Sequence, residues 1–139
     1  MMDIDKQPGI SFDGILLVKE NFYRTFSMPH KSKIDIEFSM ELNKFEDSFS
    51  NGLTTNLVCF TDDGVEVLKL EFTFVGLFSV KSAEENMDIE LFMKKHSPAI
   101  MFPYVREHIT SVTQKSGVQP ILLPPVNIIA MTKNVQNNL

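Results

Sequence analysis

Residues 65–80 read Val-Glu-Val-Leu-Lys-Leu-Glu-Phe-Thr-Phe-Val-Gly-Leu-Phe-Ser-Val. Alternation puts Leu68, Leu70, Phe72, Phe74, Phe78 and Val80 on one face of a strand. Val67, Lys69, Glu71 and Thr73, then Val75 and Leu77, fall on the other. The first half of the strand is therefore one-sided and the second half apolar on both sides. A strand apolar on both faces must be covered twice. One layer of helices covers one face, so the other implies a subunit contact or a ligand.

Upstream, Asp62-Asp63-Gly64 closes a hairpin onto a strand over Leu53–Phe60, and Asn51-Gly52 reads as the turn before it. Ile34, Ile36, Phe38, Met40 and Leu42 alternate with Asp35, Glu37, Ser39 and Glu41, the pattern of a half-buried antiparallel strand with an acidic wet side. A first strand runs from Phe12 to Phe26 with a break near Glu20-Asn21, and Pro29 lies in the connection that follows.

Downstream the period changes. Residues 86–95 open with acids and close with lysines, matching a helix dipole. Ser97-Pro98 suits a helix start, Phe102, Val105, Ile109 and Val112 recur at helical spacing, and Gly117 ends the run. Pro103 either kinks this helix or begins it. Pro120, Pro124 and Pro125 make 118–126 an ordered apolar loop, with a short final helix from Asn127. The prediction is a single α+β domain over 1–139: a four-stranded antiparallel sheet, then a long helix and a short C-terminal helix, packed on one face.

The composition fits one globular domain, with 43% hydrophobic and 22% charged residues among 139. A net charge of −5 argues against nucleic acid, and the basic cluster Pro29–Lys33 is too short to alter that. One cysteine, Cys59, cannot form an intramolecular disulfide or a cysteine metal cluster. The N-terminus does not read as a signal peptide and no stretch approaches a membrane span, so the expectation is a cytoplasmic protein with no membrane insertion. His30, His96 and His108 lack metal or catalytic spacing, and the glycines form no phosphate loop. The expectation is no enzyme, no cofactor and no metal. Twelve Phe and eight Met, without Trp, are a surplus of adaptable apolar residues. With the two-faced strand and the loop 118–126, they suggest a groove for extended polypeptide, or else a loop that covers the protein's own core.

Gly76 with Leu77–Val80, then Ser97–Gly117 (SPAIMFPYVREHITSVTQKSG) and Leu123–Asn127 (LPPVN), resemble the signature region of the SecB chaperone family. Phe102, Pro103, Tyr104, Arg106, Glu107, Ile109 and Ser111 match the family's helix in order and spacing, and Pro125, Val126 and Asn127 match the end of its loop. The resemblance implies an ATP-independent holdase of unfolded or precursor polypeptides, built as a homotetramer, a dimer of dimers, and supporting protein export. The groove candidates are then Phe72, Phe74, Phe78, Ile121, Leu122 and Leu123. Glu20, Glu37 and Glu71 would form an acidic face for the SecA motor, interrupted by Arg24 and Lys69. The closing stretch "TKNVQNNL" is neither basic nor glycine-rich and does not read as the family's SecA-binding tail, so SecA docking through such a tail is not expected. Divergent members of the family serve an antitoxin instead, which is the alternative role; an oligomerisation module without client is the alternative of another class. Tyr104, Arg106 and Glu107 are expected to fix the helix on the sheet or across a subunit contact, with Arg106 and Glu107 as a buried pair.

Overall fold

The computed structural model describes residues 9–80 and 88–139. Four long strands come first: β1 (Ile10–Arg24), β2 (Lys33–Phe45), β3 (Ser48–Phe60) and β4 (Glu66–Val80). Two helices follow, α1 (Ile89–Lys95) and α2 (Ser97–Lys115), and then β5 (Thr132–Asn138). The sheet order is β1-β4-β3-β2-β5. All neighbours are antiparallel except β2 and β5, which run parallel.

The α+β class stands, with two corrections. The sheet is five-stranded and mixed, not four-stranded and antiparallel, and no C-terminal helix forms. Asn127 starts a single turn, its Oδ1 accepting from the Ala130 amide at 3.2 Å and its carbonyl from the Met131 amide at 3.1 Å. Buried Ile128 anchors that turn, and the chain then extends along β2. A polar, β-compatible tail beside an unpaired edge gains more backbone hydrogen bonds there than an isolated short helix would hold.

The Asn51-Gly52 turn is also corrected, since both residues lie inside β3. The two-residue turn comes earlier, at Glu46-Asp47, between the paired Phe45 and Ser48. Glu46 takes the positive φ, 56°, that a tight hairpin needs. Tertiary contact overrides the local signal: Asn51 is fully buried, and its Nδ2 donates to the Ser97 hydroxyl at 2.8 Å. The Asp62-Asp63-Gly64 hairpin is where expected, with Gly64 at φ 82°. β1 has no break at Glu20-Asn21; its register shifts instead at two earlier places, between Phe12 and Gly14 and between Leu17 and Lys19.

Both helices lie on one face of the sheet. Phe38, Leu42, Leu53, Leu57, Leu70, Phe72 and Phe78 pack beneath Met93, Met101, Val105 and Ile109. Asp88 caps α1 by accepting from the Leu91 amide at 3.1 Å, while the expected start at Asn86 and Met87 lies outside the described residues. α2 begins at Ser97 with Pro98 in its first turn, and Pro103 sits inside it. Its ring removes the donor that would have reached the carbonyl of Ala99. Gly76 gives α2 its close approach, because a Cβ there would lie 2.7 Å from Met101 Sδ.

Candidate polypeptide-binding cleft

A cleft of about 760 Å³ lies at one end of the helix-covered face. One wall is the connection from β1 to β2, through Met28, Pro29 and His30; the other is the chain after α2, from Gly117 to Leu122. Ile34, Cys59 and Leu68 line its base.

Arg24 holds the two walls together. Its guanidinium donates to the carbonyl of Ser116 at the end of α2, to that of Phe26 at 2.8 Å and to that of Thr25 at 2.9 Å. A cation beside the last carbonyls of α2 also complements the helix dipole. The second wall is pinned to α2 by two threonines. Thr110 Oγ1 donates to the Ile121 carbonyl at 2.9 Å, and the Ile121 amide donates to the buried Thr113 Oγ1 at 3.0 Å. The irregular proline-rich segment is thus tied to α2 through both backbone groups of Ile121.

The expected groove residues divide. Ile121 is half-buried in the wall, and Leu122 stands 75% exposed at its rim. Leu123 is buried and anchors the segment in the core. Phe72 and Phe78 are completely buried between sheet and helices. Phe74, 9% exposed, packs edge-on against Phe72 and His108. The three phenylalanines thus form core beneath α2 rather than an open lining. The first wall falls in a stretch that the sequence marks only as the connection around Pro29 and the short basic cluster Pro29–Lys33, and nothing in the period of that stretch points to a cleft.

Burial raises the pKa of the Cys59 thiol, and a hydrogen bond with Ser32 opposes that shift. Among the described residues no cluster of His, Cys, Asp or Glu could hold a metal. Among the same residues no helix is long and apolar enough to cross a membrane.

The acidic face needs correction at Glu20. The register shift near Val18 turns Glu20 to the helix-covered side, where it meets His108 Nε2 at 3.0 Å. Glu37 and Glu71 do share the outer face, on either side of Asn56, which pairs with both. Lys19 lies 3.0 Å from Glu71, and Lys133 lies 3.8 Å from Glu37. Arg24 points to the cleft, and Lys69 is on the outer face with Glu71.

Arg106 and Glu107 form no buried pair. Both are exposed on the outer side of α2, with Arg106 over the Phe102 ring at 5.8 Å. Tyr104 does touch the sheet, its ring 6.0 Å from that of Phe12. On the uncovered face Leu77 and Leu16 are exposed and Val75, the partner of Leu16, is half-buried. Leu17 and Val18 are also exposed, along an edge strand.

This chain is similar to curated SecB proteins along most of its length. It is 28% identical over 128 residues to the protein-export protein SecB of Magnetococcus marinus, covering 87% of this chain and 81% of that protein. It is 29% identical over 105 residues to the SecB of a serogroup C strain of Neisseria meningitidis, covering 75% and 71%. Its fold is similar to the Mycobacterium tuberculosis Rv1957 SecB-like chaperone, solved in complex with a ChAD peptide from the Rv1956 HigA1 antitoxin. That match has a TM-score of 0.75 at 15% identity and covers 84% of this chain and 90% of the other. The family model described as preprotein translocase subunit SecB matches residues 15–138, and the chain belongs to that family.

Proposed function

We propose that this protein is an ATP-independent holdase that keeps precursor polypeptides unfolded for export, with the cleft between Met28 and Leu122 receiving extended segments of them. The observation that carries this reading is an ordered cleft whose two irregular walls are fixed by Arg24, Thr110 and Thr113. Apolar side chains at Leu122, Ile121, Met28 and Ile34 offer contacts to many sequences, and the flexibility of methionine suits varied occupants. Work of this kind belongs to the cytoplasm, where chains await export.

The active form is a homotetramer, a dimer of dimers. Exposed Leu16, Leu17 and Val18 on the β1 edge, with Leu77 beside them, support self-association, because an exposed apolar edge strand is a ready pairing surface. SecA would meet the outer face at Glu37 and Glu71. A dedicated antitoxin chaperone is the second reading, favoured by the fold match to a chaperone solved with an antitoxin peptide; a toxin–antitoxin pair beside the gene would distinguish it.

The test is light scattering after size exclusion, with and without a reduced, carboxymethylated protein that cannot refold. A tetramer carrying this probe is expected. Leu122→Glu, which adds a charge to the cleft rim, should lower the affinity for the probe while leaving the oligomer intact. Equal binding by Leu122→Glu would remove the cleft from the function, and no binding by the unaltered protein would remove the holdase reading.

A further inference from the structure

β5 is a weakly held strand. It reads Thr-Lys-Asn-Val-Gln-Asn-Asn, with six residues exposed and Thr132 half-buried. Its one apolar residue, Val135, is itself 40% exposed. The side-chain ties are exposed ones: Asn137 to Glu90 at 2.9 Å, Asn138 to Asn43 at 2.9 Å and Lys133 to Glu37 at 3.8 Å. Such contacts add little in water. The strand is held chiefly by the backbone of β2, which is indifferent to sequence.

Two features show what else the edge could hold. A hollow of about 370 Å³ lies beside Val135, lined by Met40, Ile129, Thr132 and the stems of Lys94 and Lys95, and valine does not fill it. β5 also covers only part of β2. Pairing runs from Phe38 with Thr132 to Asn43 with Asn138, so Lys33–Glu37 has no partner on that edge among the described residues. Ile34, within this open stretch, lines the cleft. An extended chain leaving the cleft therefore meets a free strand edge that leads directly to the β5 slot.

We propose that the β2 edge is a second polypeptide-binding site and that β5 is its internal, displaceable occupant. The incoming ligand is an extended segment of non-native polypeptide, parallel to β2, with a bulky apolar residue at the position of Val135. Backbone hydrogen bonds supply the affinity and the hollow supplies the preference, as in other strand-addition sites. β5 keeps the edge closed when no client is present, protecting it from pairing with other chains. This inference rests on the polypeptide-binding reading above.

Hydrogen exchange on the unaltered protein tests it, using the same carboxymethylated probe. With probe bound, amides of Lys133–Asn138 are expected to lose protection while those of Phe38–Asn43 keep theirs. Unchanged or increased protection over Lys133–Asn138 would overturn the proposal. A clamp gives the second arm: Glu41→Cys with Gln136→Cys joins two directly paired, exposed positions. The oxidised clamp should lose probe affinity and regain it on reduction. Val135→Asp should bind more tightly, by about tenfold if the slot is open ten times as often. If Leu122→Glu weakens binding while the clamp and Val135→Asp leave it unchanged, the cleft stands and the slot falls. If no form binds the probe, both fall.

Discussion

Gly76→Ala tests the packing that positions α2, and through it one wall of the cleft. Gly76 does not adopt a positive φ, so alanine fits the backbone. The obstacle is space: the new Cβ would lie 2.7 Å from Met101 Sδ, 3.1 Å from Met101 Cγ and 3.1 Å from Phe78 Cε2. Apolar contacts are optimal near 3.5–4.0 Å, so the sulfur is too close by about 1 Å. Met101 and Phe78 are completely buried, which limits their freedom to move. Overpacking of this kind costs about 1–3 kcal/mol, and the lower entropy of an unfolded alanine chain offsets about 0.4–1 kcal/mol of it. Met101→Ala alone leaves a cavity and costs about 2–5 kcal/mol. In the double variant the sulfur is gone, so the total cost should fall short of the sum by about 1–2 kcal/mol. The remaining Phe78 contact keeps the rescue incomplete. Urea unfolding followed by circular dichroism, at one chain concentration because an oligomer's stability depends on it, measures all four proteins. Additive losses would refute the close approach of α2 at Gly76.

Glu46→Gly should stabilise the fold by about 0.5–1 kcal/mol, because a glutamate at φ 56° is strained and glycine is not; a loss of stability in thermal melts would show another role for Glu46. Cys59 should give an alkaline limb to stability. The folded thiol holds its proton more tightly than one at the ordinary pKa of 9.0, so its contribution is present below that pH and is lost as pH rises toward the folded value. Cys59→Ala should flatten the fall in stability measured between about pH 8 and 10, and an unchanged slope would place the titration elsewhere.

Whatever depended on period and on strong local chemistry could be read in the chain itself. The alternation of 34–42 and 65–80 placed Phe38, Leu42, Leu70 and Phe72 on inward faces, and the structure buries them all. Ser97-Pro98 and Gly117 bounded α2, and the three prolines kept 118–126 irregular. The motif residues from Phe102 to Ser111 pointed to the family that the whole-chain comparison then showed. Tertiary structure decided the rest, because each remaining choice depended on a partner distant in sequence. Asn51 leaves its expected turn to meet Ser97, 46 positions away. The register shift at Val18, which shows only against β4, moves Glu20 from the outer face to His108. Phe72, Phe74 and Phe78 are core rather than lining because α2 lies over them, and strand alternation cannot say which apolar face a helix will take. The cleft exists because Arg24 reaches the carbonyl of Ser116, 92 positions on, and β5 is a strand because the β2 edge lay open beside it. Local sequence specifies the preference of each segment; only the assembled chain brings the contacts that satisfy or override it.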